Sequence, residues 1–270
     1  MDEPEFQRDL YRGTAQDYDR FRVPYPQTLI ADLLRWCKAT GQGRLLDLAC
    51  GTGQIAFAMH PAFDEAWAVD QEPDMVVFAQ EKARAAGIRN IRFLVAPAEE
   101  LVAPAASFEL IAVGNGFHRL RRDAVAASAF RWLKPGGCLA LLWSSSPWQG
   151  PATWQQALAA TLERWQRALA TEARVPQGWE QARQQRPDRT VLEAAGFAAL
   201  GSHRFPTPYA WTAEALAGFA YSTSFLPRAQ VGGRAAEFEE DLRRALEAAE
   251  PGGRFSQTID FACELVRRPG

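Results

Sequence analysis

A glycine turn flanked by two aspartates carries the residue types in this sequence that are best suited to chemistry. The segment GTGQIA, residues 51–56, has the G-x-G-x-x-A spacing that lets a strand-to-helix turn approach a nucleotide. Asp70 follows about twenty residues later, where a carboxylate can accept hydrogen bonds from both hydroxyls of a ribose. Asp47 stands just before the turn, where its charge would repel a diphosphate and suit the cationic end of a ligand. Together these residues predict a site for a nucleoside joined to an amino acid.

S-Adenosylmethionine joins a nucleoside to an amino acid through a sulfonium, and it is the cofactor that this pattern predicts. A nicotinamide-dependent oxidoreductase shares the glycine spacing, but Asp47 disfavours it because the strand before a dinucleotide turn is normally apolar. A purely structural interpretation has Asp47 capping a turn and Asp70 capping the next helix. We favour the binding role, because both aspartates are expected at the edge of the sheet where ligands bind.

The elements that must position these residues alternate between short apolar strands and helices. Strands are predicted at 44–49, 65–70, 91–95, 108–114 and 138–143, and helices at 27–40, 54–60, 73–87 and 121–133. This alternation is typical of an α/β fold with a Rossmann-like, mostly parallel sheet and helices on both faces. Ligands of such sheets bind at the carboxyl ends of the strands, so we expect the site after the first four strands.

The pattern changes after residue 143, and a helical lid or insertion is predicted after the fifth strand. We divide the chain into a cofactor-binding core with an N-terminal lid at 1–145, a helical cap at 146–190, and a C-terminal part at 191–270 that completes the sheet and the acceptor pocket. Further elements are predicted as a turn at 134–137, a strand at 201–205, helices near 212–220 and 234–249, and an edge strand at 255–268.

Composition narrows the class of protein. The chain has 270 residues, 47% hydrophobic and 23% charged, which are values of an ordinary globular protein. A net charge of −2 argues against a protein whose main role is to bind the nucleic-acid backbone. The polar, acidic first residues predict no signal peptide, and no apolar run is long enough to predict a membrane span. The four scattered cysteines favour free thiols, so a cytoplasmic location is expected.

Five segments resemble the successive motifs of the class I S-adenosylmethionine-dependent methyltransferases. They are LLDLACGTGQIAFAM, AVDQEPDMVVFAQEKA, FLVAPAEEL, FELIAVGNGFHRL and LKPGGCLALLW. The resemblance covers about residues 10–145 and implies a methyltransferase with S-adenosylmethionine as its cofactor. These motifs are specific to the superfamily and do not identify a substrate.

The resemblance also implies a set of cofactor-binding residues. Asp47, Ala49, Gly51 and Gly53 would hold the methionine end, Asp70 and Gln71 the ribose, and Met75, Ala98 and Glu99 would surround the adenine. Asn115 would lie near the methionine part through its backbone, and Tyr11, Tyr18 and Arg22 belong to a segment that would fold over the cofactor. The chain departs from the family at Pro97, where the family often has an Asp that contacts the adenine amine.

His118 is the candidate catalytic residue, because it follows the fourth strand in the segment NGFHRL, where the transferable methyl group should point. An imidazole with its ordinary pKa of about 6.5 suits a general base at neutral pH. The alternative is a packed histidine, since methyl transfer can proceed by placement alone. The same segment has neither the tetrad typical of enzymes that methylate nucleic-acid bases nor acidic metal ligands, so neither a nucleic acid nor a metal is implied.

The acceptor is predicted to be a small organic molecule, methylated at oxygen. Five aromatic residues outside the core motifs suggest an apolar acceptor pocket, although each alone is most often packing: Trp148, Trp154, Trp211, Tyr221 and Phe225. Arg119, Arg121 and Arg122 would attract an acidic acceptor, but an exposed helix start explains them better. The alternative function is that of a non-methylating relative that keeps the cofactor and catalyses a cyclisation or rearrangement. No membrane partner is expected, and the oligomeric state is left open.

Overall fold

The computed structural model describes residues 6–270, so residues 1–5 of the predicted first domain lie outside the described residues. The described residues contribute seven strands to one sheet. They are β1 (Arg44–Leu48), β2 (Glu65–Asp70), β3 (Ile91–Val95), β4 (Phe108–Gly114), β5 (Leu133–Ser144), β6 (Ala198–Trp211) and β7 (Phe255–Arg267). Their order is β3-β2-β1-β4-β5-β7-β6, and β7 alone runs antiparallel to its neighbours. The predicted Rossmann-like α/β fold is confirmed.

Helices cover both faces of this sheet. They are α1 (Ala15–Phe21), α2 (Gln27–Trp36), α3 (Gln54–Met59), α4 (Pro73–Ala85), α5 (Arg122–Trp132), α6 (Thr153–Leu169), α7 (Trp179–Gln185), α8 (Asp188–Ala194), α9 (Ala213–Tyr221), α10 (Arg228–Val231) and α11 (Ala235–Ala249). Neighbouring residues on one strand belong to different apolar clusters, as with Leu45 and Leu46, because successive side chains of a strand point to opposite faces. Both faces of the central strands are therefore buried, which is why these strands read as continuous apolar runs.

The order of the strands creates the crevice in which a ligand can bind. β1 and β4 are neighbours, and the chain moves outward from β1 to β3 on one side and from β4 to β5 on the other. The connections that leave β1 and β4 therefore diverge, which opens a crevice at the carboxyl ends of these two strands. Among residues 6–270, no helix has both the length and the apolar composition needed to cross a membrane.

Two predicted elements differ from the structure. The predicted turn at 134–137 is an irregularity inside β5, because Phe108 pairs with Leu133 while Leu110 pairs with Cys138. The predicted edge strand is β7, which lies between β5 and β6, so the edge of the sheet is β6. The residues from Phe261 to Val266 are all buried, as an interior strand requires. The proposed division into three parts stays a prediction.

Candidate functional site

A cavity of about 710 Å³ opens at the carboxyl ends of β1 to β4 and is closed on its outer side by the N-terminal segment. Its wall contains ten of the residues predicted to bind the cofactor. They are Tyr11, Tyr18, Ala49, Gly51, Asp70, Gln71, Met75, Ala98, Glu99 and Asn115. The sheet thus brings together residues that are far apart in the sequence, because the carboxyl ends of its parallel strands meet at one edge.

The turn between β1 and α3 forms the floor of the cavity. Ala49 and Gly51 both have a left-handed backbone, with φ of 57° and 55°. A Cβ atom at position 51 would lie 3.6 Å from the ring of Tyr18, so the space between this turn and Tyr18 is narrow. A residue without a side chain at this position leaves room for a ligand to lie against the backbone.

Asp70 joins the end of β2 to this turn. One carboxylate oxygen accepts a hydrogen bond from the amide of Gly51 at 2.7 Å, and the other accepts from the amide of Glu72 at 2.9 Å. Burial raises the pKa of Asp70, and these amide hydrogen bonds oppose that shift. An ionised carboxylate has about four acceptor positions, so Asp70 can still accept bonds from a ribose while it holds the turn.

Asp47 lies beneath the turn and not on the cavity wall, and its contact with the methionine end stays a prediction. The side chain is fully buried, and one of its oxygens accepts a hydrogen bond from the amide of Ala56 at 2.8 Å. Its other oxygen is buried without a hydrogen-bond partner among residues 6–270. Burial raises the pKa of Asp47 to about 7. Its side chain therefore supports the first turn of α3 from inside the fold.

Gly53 is also placed below the cavity wall. It has a left-handed backbone with φ of 82° and precedes the first residue of α3. A Cβ atom here would lie 3.1 Å from the ring of Phe57, on the side of the helix. Gly53 has a role in the turn, where the positive φ favours glycine, and its cofactor contact stays a prediction.

Asn115 is held firmly at the end of β4. Its backbone amide donates to the carbonyl of Leu142, and its φ of 51° is left-handed. Its side-chain amide donates to the hydroxyl oxygens of Tyr25 at 3.2 Å and Ser144 at 3.4 Å, and its side-chain oxygen accepts from the amide of Ser144. Because these contacts occupy the side chain, a contact between a ligand and Asn115 would use its backbone, and that contact stays a prediction.

The N-terminal segment is tied to the start of α4 by backbone hydrogen bonds. The amide of Gly13 donates to Asp74 at 2.6 Å, and the amide of Tyr11 donates to Glu72 at 3.4 Å. The rings of Tyr11 and Tyr18 meet edge to face with their centroids 6.1 Å apart. Arg174 also donates to the carbonyls of Asp9 and Leu10, so the residues that cover the cavity are held by several contacts with the rest of the fold.

We predict that a cofactor in the cavity protects this segment from proteolysis. A ligand between the N-terminal segment and the sheet adds contacts that exist only in the closed form. Limited trypsinolysis with mass spectrometry should show slower cleavage after Arg8, Arg12 and Arg20 when S-adenosylhomocysteine is present. Cleavage after Arg254 serves as the control. Equal rates with and without the ligand at the N-terminal sites would contradict the lid.

Arg22 faces away from the cavity, and its role at the cofactor stays a prediction. Its guanidinium donates to the hydroxyl and the carbonyl of Ser222 at 2.8 and 3.0 Å. The same group lies 4.5 Å from the ring centre of Phe219 and 4.8 Å from that of Tyr18. Arg22 therefore acts on the cavity only through the ring of Tyr18, which it supports from behind.

His118 also lies off the cavity wall, and its role as a general base stays a prediction. Its ring stacks on Trp179 with centroids 4.8 Å apart, and the ring of Phe6 approaches it edge-on at 6.2 Å. Its Nε2 atom accepts a hydrogen bond from Nε of Arg119 at 3.1 Å. Burial, followed by the charge of Arg119, holds the pKa of His118 well below its ordinary value. The surroundings favour a packed, neutral imidazole.

The lowered pKa of His118 predicts a loss of stability on mild acidification. The unfolded chain binds a proton at His118 near its ordinary pKa, about 6.5, whereas the folded chain does not. The free energy of unfolding should therefore fall as the pH drops below about 6.5. Urea unfolding at a series of pH values should show a shallower fall in His118→Gln. An identical pH dependence in both proteins would contradict this account of the imidazole.

The five predicted pocket aromatics do not line the cavity. Trp154, Trp211 and Tyr221 are almost fully buried in the apolar cluster beneath the C-terminal helices. Trp148 contacts Phe225 there, with ring centroids 5.5 Å apart. These residues pack the helices against the sheet, which is the ordinary role of apolar aromatics.

The cavity wall includes residues that were not predicted to bind the cofactor, above all Glu72 and Arg119. Glu72 is buried and stands two residues after Asp70. Its closeness in sequence to a residue predicted to bind the cofactor could have identified it as part of the site. Arg122 was interpreted as part of an exposed helix start, yet it is only 3% exposed and pairs with Asp188. Nothing local in the sequence distinguished a buried arginine from an exposed one.

Comparison with known proteins assigns this site to a family. Residues 45–137 match the family model described as a methyltransferase domain. YqeM of Bacillus subtilis (strain 168) is 30% identical over 139 residues, which are 48% of this chain and 53% of YqeM. The ubiquinone/menaquinone biosynthesis C-methyltransferase UbiE of Edwardsiella ictaluri (strain 93-146) is 37% identical over 117 residues, which are 41% of this chain and 47% of UbiE.

The chain spans about half the length of the curated relatives that it matches. The solved structure of YcgJ from Bacillus subtilis superposes with a TM-score of 0.56 at 18% identity, covering 91% of this chain and all of YcgJ. That likeness supports the fold. The matched domain supports S-adenosylmethionine as the cofactor. The match covers the glycine turn, Asp70 and Asn115, so residues 45–137 are a methyltransferase domain similar to those of the class I S-adenosylmethionine-dependent superfamily.

Proposed function

We propose that this chain methylates a small organic molecule at an oxygen atom, with S-adenosylmethionine as the methyl donor. The observation that carries the proposal is the cavity wall itself, in which Asp70 and the glycine turn at Gly51 meet beside the end of β4. A volume of about 710 Å³ lies in the range of small-molecule sites.

The residues of the cavity fit this cofactor. Asp70 retains acceptor capacity for a ribose, and the backbone at Gly51 is open to the methionine part. Met75 and Ala98 offer apolar surface to an adenine. When bound, S-adenosylmethionine supplies a methyl group already activated by the sulfonium. The contribution of the protein is then to position the two reactants and to exclude water.

Excluding water falls to the N-terminal segment, which covers the cavity with Tyr11 and Tyr18. Because His118 lies outside the cavity wall, we do not assign it the removal of a proton. An acceptor oxygen that is already ionised, such as a carboxylate, needs no base. An ionised oxygen acceptor is therefore compatible with this cavity, whereas the name of UbiE records a carbon acceptor in that relative.

The proposal is tested by incubating the purified chain with methyl-labelled S-adenosylmethionine and a fractionated metabolite extract. We expect the label in a small-molecule product, and mild alkali should release it as methanol from a methyl ester. A stable carbon-bound methyl group would contradict the oxygen assignment. A changed molecule without the label would favour the cyclisation or rearrangement alternative, and failure to bind S-adenosylhomocysteine would contradict the proposed function itself.

A further inference from the structure

Arg119 places an unpaired cationic group on the cavity wall. It ends the short 3₁₀ turn Phe117–Arg119, which follows β4. Its Nη1 atom is buried and has no hydrogen-bond partner anywhere in residues 6–270. A guanidinium normally satisfies its donors when it is buried, so an orphaned nitrogen at a cavity requires an explanation.

The rest of the side chain is held in place. Its Nε atom donates to His118 at 3.1 Å. The guanidinium lies 4.7 Å from the ring centre of Tyr11 and 5.8 Å from that of Phe6. Ring faces attract the positive charge but leave the N–H donors of its edge unused. The contacts therefore orient the guanidinium and leave part of its hydrogen-bonding edge free.

Three of the four other arginines on the cavity wall have carboxylate partners. Arg8 pairs with Glu100 at 2.8 Å, Arg122 with Asp188 at 2.9 Å, and Arg186 with Asp123. Within the described part of the chain, Arg119 has no such ion pair. The cavity thus contains one oriented guanidinium whose charge the described residues do not neutralise.

We propose that Arg119 binds an oxyanion, a carboxylate or a phosphate, on a ligand in this cavity. Such groups accept charge-assisted hydrogen bonds from a guanidinium, and the match is strongest in a buried setting. This inference rests on the proposed function, which offers two sources of the oxyanion. One is the carboxylate of the cofactor's methionine part, and the other is an acidic group on the methyl acceptor.

Calorimetric titrations of the full chain separate these sources. The probes are S-adenosylhomocysteine, which has the carboxylate, and 5′-methylthioadenosine, which lacks the amino-acid part. Benzoate and uncharged benzyl alcohol are then titrated into protein saturated with S-adenosylhomocysteine. The variants are Arg119→Gln, Arg119→Lys as the charge-conserving change, and Arg92→Gln as the control. Arg92 stacks on Trp67 at 4.5 Å, outside the cavity, so its variant also loses a stacked guanidinium.

If the cofactor supplies the oxyanion, Arg119→Gln should lower the affinity for S-adenosylhomocysteine at least about tenfold. The affinity for 5′-methylthioadenosine should stay within about twofold of the wild-type value. If the acceptor supplies the oxyanion, the affinity for S-adenosylhomocysteine should be unchanged. The affinity for benzoate should fall at least about tenfold, and that for benzyl alcohol should not fall. In either case Arg119→Lys should lose less affinity than Arg119→Gln, and Arg92→Gln should bind the probes as the wild type does.

The proposal is wrong if the affinity for neither carboxylate probe depends on Arg119. It is also wrong if the substitution lowers the affinities for charged and uncharged probes equally. The second result would mean that the side chain only shapes the cavity. A wild-type chain that does not bind S-adenosylhomocysteine would contradict the proposed function, and in that case benzoate titrated into the free protein still tests Arg119.

Discussion

Replacing Asp70 with Ala is expected to weaken the binding of S-adenosylhomocysteine by about 1.5–3 kcal/mol, roughly 10- to 150-fold in Kd. The carboxylate is proposed to accept the ribose hydroxyls, and hydrogen bonds to a charged acceptor lie in this range of free energy. The variant also leaves the amides of Gly51 and Glu72 without their acceptor. Both the direct contact and the shape of the turn are therefore lost.

Titration calorimetry measures the effect, and Asp64→Ala provides a matched control. Asp64 accepts a hydrogen bond from the amide of Gly43 at 3.0 Å, at the opposite end of β1 and β2. This control loses the same type of aspartate–glycine contact but lies far from the cavity, so its affinity should equal that of the wild type. Unchanged affinity in Asp70→Ala would exclude Asp70 from the binding site.

Asp188→Ala is expected to lower the free energy of unfolding by about 3–5 kcal/mol. Asp188 at the start of α8 is 8% exposed and receives hydrogen bonds from Arg122 and Arg183. Arg122, which begins α5 at the cavity wall, is 3% exposed. Removing the carboxylate takes an ion-pair partner away from the buried guanidinium of Arg122, which costs far more than losing an exposed ion pair.

Urea unfolding tests this expectation. Asp32→Ala is the control, because Asp32 pairs with Arg35 on the exposed face of α2 and its loss should change stability little. The double variant Arg122→Met and Asp188→Leu should recover part of the loss, since neither charge of the pair then remains buried. A single variant that unfolds like the control would show that solvent already screens this pair.

Local sequence patterns were sufficient to predict the central strands and the loops that carry the site. Apolar runs bounded by glycines mark β1 and β4, and the carboxyl-end rule then brings Gly51, Asp70 and Asn115 together. This inference succeeds because a parallel sheet aligns equivalent ends of its strands, wherever those ends lie along the chain.

The sequence by itself therefore determined the methyltransferase domain and predicted ten residues of the cavity wall, while the tertiary structure decided which way individual side chains face. Gly53 and His118 belong to the predicted loops and Asp47 to the predicted first strand, yet each packs against α3 or the N-terminal segment and its neighbours. A loop assignment fixes where a Cα atom lies, but the orientation of the side chain depends on partners distant in sequence. The same reason explains Arg119, whose unpaired nitrogen is recognisable only once its surroundings are known.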